Sequence, residues 1–321
     1  MAGRIAIFGA GNVGCFVGGT LALAGNDVTF IGRRRLRDEI KAHGLTLLDR
    51  GKLLGTVPTP RFELDPAAVE PADIVFVTVK LGSLAAAAAD LEAFTRPDAL
   101  LVTLENGIGI AERLHKSVPD REVVDGTVAF NVVPLGEGRW EQASYGAVHA
   151  QRHSRLEGLG LTLVDDMRPI EWGKLLVNLI NAVNALSGLS LKGTFSQRGY
   201  RRVVAASLHE ALAALQAAGI VPAKVGPTHP SISAIALGLP DWLFNNLVIP
   251  RLGMSENARL SMGVDYDAGR PTEVDALNGR IGELGRAHGI PTPVNDGLVR
   301  LVHQGGRHWP AAALTRELGL A

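Results

Sequence analysis

The stretch that decides the fold is Arg4-Ile5-Ala6-Ile7-Phe8-Gly9-Ala10-Gly11-Asn12-Val13-Gly14. Residues 4–8 form a short apolar run that reads as a β-strand, and residues 14–24 continue with helical spacing. Between them stands G-x-G-x-x-G. In such a turn the first glycine permits the tight reversal, the second lets the backbone come close to a pyrophosphate, and the third lets helix and strand pack closely. The helix start adds unpaired N–H groups and a positive dipole end. A bare match is often only a glycine-rich turn. Its position between a strand and a helix selects the dinucleotide reading, with Gly9, Gly11, Asn12, Val13 and Gly14 as candidate cofactor-binding residues.

The next strand, expected over residues 27–31, ends in Ile31-Gly32-Arg33-Arg34-Arg35. A site for NAD usually has Asp or Glu here for the ribose hydroxyls. This chain has no acid there, and a guanidinium suits a 2′-phosphate through charge-assisted, often bidentate, hydrogen bonds. The plain alternative is a solvated basic turn. The reading favours NADP (NADPH), with Arg33 as the leading contact.

Working outward, residues 45–57 with Asp49-Arg50-Gly51 at the centre predict a hairpin. Strands are expected over 73–79 and 99–104, an alanine-rich helix over 83–94, and antiparallel strands at the sheet's far edge between 122 and 151. Strands alternating with helices indicate a parallel α/β sheet of Rossmann type. Lys80 closes the strand 73–79, and Asn106 follows the strand 99–104, both at the carboxyl edge where such sheets bind ligands. Either residue alone could be an ordinary turn residue. Cys15 reads as a small packed residue rather than a reactive thiol.

The pattern changes near residue 168. Helices are expected over 170–187, 197–218 and 272–288, with Gly219 and Gly289 where helix-ending glycines belong. The expected organisation is a doubly wound NADP-binding Rossmann domain over residues 1–168, followed by an all-α substrate-binding and catalytic domain over 169–321.

The chain of 321 residues balances 32 basic against 32 acidic side chains, which argues against a general polyanion binder and so against nucleic acid as a partner. With Cys15 the only cysteine, an intramolecular disulfide is excluded. The nine histidines show no metal-ligand spacing, so no metal is expected. No signal-peptide pattern opens the chain. The apolar stretch over 231–250 is broken by Pro240, Asp241, Asn245 and Asn246, so no membrane span is expected. A cytoplasmic protein is the resulting expectation. A homodimer through the helices of the second half stays open, because the apolar faces of core helices and of interface helices look alike.

In the second half, Lys174, Asn178 and Asn181 fall at i, i+4 and i+7 of an otherwise apolar helix. Burying an ammonium and two amides without partners is costly, so the stripe points to a wet or ligand-filled surface; a solvent face is the plain alternative. Further on, Thr272 with Asp275 has capping-box spacing, which puts Glu273 in a first helical turn. An acid there complements the helix dipole and needs no function.

With these residues in view the chain resembles the ketopantoate reductase (2-dehydropantoate 2-reductase) family over nearly its whole length. The resemblance rests on Gly9 to Gly14, Val79-Lys80, Glu105-Asn106-Gly107, and Lys174 with Asn178. It continues in Ser261-Met262 … Asp265 … Thr272-Glu273-Val274-Asp275 … Asn278-Gly279 and the tail Ala287 to Pro293. The run from Ser261 to Glu273 is the most specific of these; the glycine motif is shared with many dehydrogenases. The family reduces ketopantoate to pantoate with NADPH, on the route to pantothenate and coenzyme A. The resemblance implies Lys174 as general acid and Glu273 as an acid that binds substrate and orients the site. It implies Asn106, Asn178 and Ser261 as polar substrate or cofactor contacts, Lys80 as an active-site lysine, and Arg33 as the 2′-phosphate contact. The best-known form has a further asparagine eight residues after the lysine, where this chain has Ala182. Asn181 lies one residue earlier, about 20° from the Lys174 azimuth on a regular helix, and is a substitute candidate. A reductase acting on another 2-oxo acid is the close alternative, and a non-catalytic NADPH sensor the distant one.

Overall fold

The computed structural model describes residues 3–225, 236–252 and 259–320, and it falls into two units, Met1–Met167 and Arg168–Ala321. Part of the apolar stretch over 231–250 therefore lies outside the described residues. Of its remainder, residues 241–250 lie in the helical turns Asp241–Leu243, Phe244–Val248 and Ile249–Leu252. Among the described residues no helix is long and apolar enough to cross a membrane.

The first unit runs β1 (Ile5–Ala10), α1 (Asn12–Leu23), β2 (Val28–Gly32), α2 (Arg34–His43), β3 (Leu45–Asp49), β4 (Lys52–Val57) and β5 (Arg61–Glu63). It continues with β6 (Ile74–Val77), α3 (Leu84–Phe94), β7 (Leu100–Thr103), α4 (Ile110–His115), β8 (Glu122–Val124), β9 (Gly126–Val128), β10 (Val132–Gly136), β11 (Arg139–Gln142), β12 (Val148–Gln151) and β13 (Thr162–Val164). The central sheet is parallel, in the order β5-β2-β1-β6-β7-β8. Chain direction across the sheet reverses between β1 and β6, the switch point at which doubly wound folds open a crevice at the strands' carboxyl ends.

Period-two alternation explains how β1 serves two cores. Ile5 and Ile7 face α1, with Cys15, Phe16, Phe30 and Trp140, whereas Ala6 and Phe8 face α3 and α4, with Leu84, Leu91 and Leu114. Both faces are covered, as a parallel sheet requires.

The hairpin over 45–57 forms as expected, as β3 and β4. The strands after residue 122 differ from the expectation of one antiparallel edge. β8 alone extends the central sheet, and it does so in parallel. β10 and β11 join the hairpin in a second sheet, β10-β11-β3-β4, which packs over α1, while β9, β12 and β13 make a third. Alternation marks a strand but does not name its partner, and β11 pairs with β3, far back in the chain.

The second unit is helical: α5 (Arg168–Asn178), α6 (Ile180–Ser187), α7 (Leu191–Phe195), α8 (Arg198–Ala217), and later helices Ser261–Asp267, Arg280–His288, Pro293–Gln304 and Ala311–Glu317. Gly219 and Gly289 take φ of +69° and +68° at their helix ends, the left-handed conformation that glycine adopts without strain. The single helix expected over 170–187 is interrupted at Leu179, whose N–H turns to Leu176 O at 3.4 Å in place of a regular i−4 bond. The helix expected from Thr272 begins instead with a π-turn, Asp275–Gly279, ahead of Arg280–His288.

Candidate active site

Each glycine of the motif has the geometry its role requires. Gly9 has φ +88°, and a Cβ there would meet Val79 Cγ1 at 2.4 Å. A Cβ on Gly14 would meet Thr78 Oγ1 at 2.5 Å and Ile7 Cγ2 at 2.9 Å, so this glycine sets the approach of α1 to the sheet. A Cβ on Gly11 would meet only Gly9 O, at 3.7 Å. Gly11 thus faces open space at the head of α1, where no side chain caps the helix and no acid stands in the first turn. An anionic pyrophosphate fits those donors.

The neighbouring strand ends complete this edge. Arg33 is the residue before α2, with no acid in the first turn of that helix. Arg35 pairs with Glu39 at 3.2 Å, whereas among the described residues Arg33 and Arg34 form no ion pair. Lys80 follows β6 and is exposed; Asn106 follows β7 and is half-buried. Gly9 to Gly14, Arg33, Lys80 and Asn106 thus lie at the carboxyl ends of β1, β2, β6 and β7, four adjacent strands.

Two residues of this edge escaped the sequence reading. Thr78, just past β6, donates its hydroxyl to Gly9 O at 3.0 Å, and its N–H bonds Phe8 O at 2.8 Å, tying the turn to the switch point. A lone hydroxyl in the run Val75-Phe76-Val77-Thr78-Val79 is the local signal that could have found it. Asp125 Oδ1 accepts the Ala111 N–H at 3.1 Å and so fixes the start of α4, below the loop that bears Asn106. Burial holds the Asp125 carboxyl above the ordinary carboxylate range, with Glu112 adding to the rise against the Ala111 bond. Cys15 is fully buried and its thiol is pushed up to about 12, chiefly by burial, so it is a packing residue.

In the second unit Lys174 and Asn178 share one face of α5, both half-buried, with Val177 beside them 48% exposed. Asn181 follows the interruption at Leu179 and sits in α6, 8% exposed, next to the fully buried Ala182. Ser261 is the exposed first residue of the helix Ser261–Asp267, which packs on α6. Glu273 is half-buried and precedes the π-turn, its carbonyl accepting from Leu277 N at 3.2 Å. The expected cap pair of Thr272 with Asp275 is not formed; Asp275 Oδ1 instead lies 2.9 Å from His303 Nε2. Single-turn π geometry is frequent at functional sites, where it re-aims a side chain.

A buried amide network holds that turn. Asn278 Nδ2 donates to Asn295 Oδ1 at 3.0 Å, Ser207 Oγ donates to the same oxygen at 2.7 Å, and Asn295 Nδ2 reaches Glu210 at 2.8 Å. Asn278 therefore serves the framework of the turn.

A glycine turn at the switch point of a parallel sheet, followed by a helical unit carrying a lysine–asparagine pair, is the build of a dinucleotide-dependent oxidoreductase. The family model described as ketopantoate reductase PanE/ApbA matches residues 5–155, and that of its C-terminal part matches residues 166–305. The chain belongs to the ketopantoate reductase family.

Among curated relatives, a 2-dehydropantoate 2-reductase of Halobacterium salinarum is 28% identical, over 93% of this chain and 97% of its own length. One of Mesorhizobium japonicum is 26% identical over 94% and 97%. Among solved structures, a PanE/ApbA family ketopantoate reductase from Ralstonia eutropha superposes with a TM-score of 0.76 at 28% identity, covering 94% of this chain and 97% of its own. A D-mandelate dehydrogenase, solved with NADH and anilino(oxo)acetate, shares the fold with a TM-score of 0.72 at 23% identity, over 94% of this chain and 97% of its own.

Proposed function

We propose that the protein reduces 2-dehydropantoate (ketopantoate) to (R)-pantoate with NADPH, as a cytoplasmic step of pantothenate and coenzyme A synthesis. The observation that carries this reading is the half-buried Lys174–Asn178 pair on α5, in a chain whose two halves both match the family models.

Bound NADPH supplies the hydride. Gly11 and the head of α1 receive its pyrophosphate. Arg33, which has no acidic partner among the described residues, receives the 2′-phosphate, and Lys80 and Asn106 hold the cofactor from the neighbouring strand ends. Lys174 donates a hydrogen bond and then a proton to the ketone oxygen, stabilising its developing negative charge. An ordinary lysine is protonated at neutral pH, as this role requires. Asn178 orients the substrate beside Lys174, with Asn181 behind it at the start of α6. Ser261 holds the substrate carboxylate, and Glu273 accepts a hydrogen bond from the substrate hydroxyl. Two copies of the chain form a homodimer in this reading.

A second reading, reduction of a bulkier 2-oxo acid, is favoured by one observation. Val177, 48% exposed, presents an apolar surface beside Lys174 on which a larger apolar substrate group can pack. Steady-state consumption of NADPH with ketopantoate, and with a panel of unbranched, branched and aromatic 2-oxo acids, tests both. The proposal expects ketopantoate to have the highest kcat/KM of the panel. A higher value for an aromatic or larger branched acid selects the second reading, and no turnover of any member sinks both.

A further inference from the structure

Trp140 lies in β11, paired in register with Leu47, and its side chain is fully buried against α1. A buried indole N–H needs an acceptor, and here the acceptor is Asn12 Oδ1, at 3.4 Å. An indole nitrogen can only donate. Asn12 must therefore present its oxygen to Trp140, and the identity of its two amide ends follows from chemistry alone. Its NH2 group is turned away from the indole. Asn12 is the exposed first residue of α1, and among the described residues its amide makes no other hydrogen bond. An unrestrained asparagine there samples both amide orientations and several rotamers, a choice that a bound phosphate must settle at a cost in affinity. Trp140 removes that choice.

We propose that Trp140 is a positioning residue for the cofactor: it fixes the Asn12 carboxamide so that Nδ2 donates to the dinucleotide pyrophosphate, beside the free N–H groups of α1. The inference rests on the dinucleotide reading of Gly9 to Gly14 and is independent of which 2-oxo acid is reduced. The pyrophosphate is common to NADPH and NADH, so the pair raises affinity for both equally, unlike Arg33.

The test is the dissociation constant of NADPH, NADH and adenosine 2′-monophosphate, which lacks a pyrophosphate, from the purified chain by calorimetry. Trp140→Phe keeps a buried aromatic ring and removes the donor. It is expected to weaken NADPH and NADH by the same factor, about threefold to tenfold for one hydrogen bond, and to leave the monophosphate unchanged. Asn12→Ala should match it, and the double variant should be no weaker than Asn12→Ala alone. Asn12→Asp guards against mere unfolding: it keeps an acceptor for Trp140 and favours the helix dipole, yet sets a carboxylate oxygen against the phosphate. It should stay folded and bind dinucleotides more weakly than Asn12→Ala. Unchanged affinity in Trp140→Phe, additive losses in the double variant, or equal loss of the monophosphate would each overturn the proposal. If the unaltered chain binds neither dinucleotide, the reading beneath it falls as well.

Discussion

Asn184 Oδ1 accepts the backbone N–H of Leu260 at 3.3 Å, while its Nδ2 donates to Leu189 O at 3.0 Å and Thr194 Oγ1 at 2.9 Å. The side chain is fully buried in α6, and Leu260 is the residue before the helix Ser261–Asp267. One amide thus joins the helix that continues from Lys174 and Asn178 to the helix that begins with Ser261. Replacing it by alanine leaves a donor and acceptors buried without their partner, a loss of about 1–3 kcal/mol for each group left unsatisfied. Asn184→Ala should lower the urea midpoint without changing the slope, and should raise KM for the keto acid while NADPH affinity holds. An unchanged midpoint would mean that the amide does not join these helices.

The first and last steps of the glycine motif separate folding from binding. Gly14→Ala forces a methyl against the Thr78 hydroxyl and the Ile7 side chain, at 2.5 and 2.9 Å, where α1 meets the sheet. It should reduce thermal stability and cofactor binding together. Gly11→Ala meets open space in the folded chain, so its melting temperature should stay near that of the unaltered protein, while dinucleotide affinity falls at least tenfold as the methyl occupies the phosphate's place. Calorimetric melting and binding titrations on both variants give the comparison. Equal affinity in Gly11→Ala would move the pyrophosphate away from this turn.

Lys174 should act on chemistry alone. Lys174→Ala is expected to lower kcat by about 10²–10⁴-fold, the usual worth of a general acid, with NADPH affinity unchanged. A variant that loses cofactor affinity instead would place this lysine in the wrong role.

Arg33 should discriminate between cofactors. Among the described residues Arg33 forms no ion pair, and in the proposed reading its guanidinium binds the 2′-phosphate. Arg33→Ala should weaken NADPH at least tenfold and NADH hardly at all, in paired titrations. Equal losses would assign the site to a cofactor without the 2′-phosphate.

What could be read from the sequence was local. Gly9, Gly11 and Gly14 were legible because turn, approach and packing are all settled within one strand and one helix. Gly219 and Gly289 were legible for the same reason. Trp140 was not, since its tie to Asn12 spans 128 residues and no spacing records it. Nor did Val177-Asn178-Leu179-Ile180 signal the interruption at Leu179, for it contains neither proline nor glycine. The backbone at Leu179 keeps right-handed helical angles, so the interruption is a change of hydrogen-bond pattern that residue type does not mark. Glu273 shows the same limit: cap spacing suggested a regular first turn, and the Asn278–Asn295–Ser207 network holds a π-turn there instead.

The acid limit of stability should depend on Asp267. Its Oδ1 lies 2.9 Å from His308 Nε2 and its Oδ2 lies 2.7 Å from Arg259 Nη1, at the end of the helix that Ser261 begins. Burial is the largest single influence and raises the carboxyl pKa, but the bonds and charges of His308 and Arg259 together outweigh it and hold the group below its ordinary value. A carboxyl lowered in the folded state contributes stability in full above its unfolded value, about 3.9, and loses it as pH falls through the lowered folded value. The side chain is one-third exposed, so water screens part of this gain. Asp267→Asn should thus lower stability at neutral pH and flatten its decline below about pH 4. Some decline should remain, because Asp73 is likewise held low: Arg4 and Arg96 outweigh the burial that raises it. Urea midpoints taken from neutrality to about pH 3 should converge for the two proteins as the carboxyls protonate; curves that stay parallel would show that Asp267 contributes nothing to the acid limb.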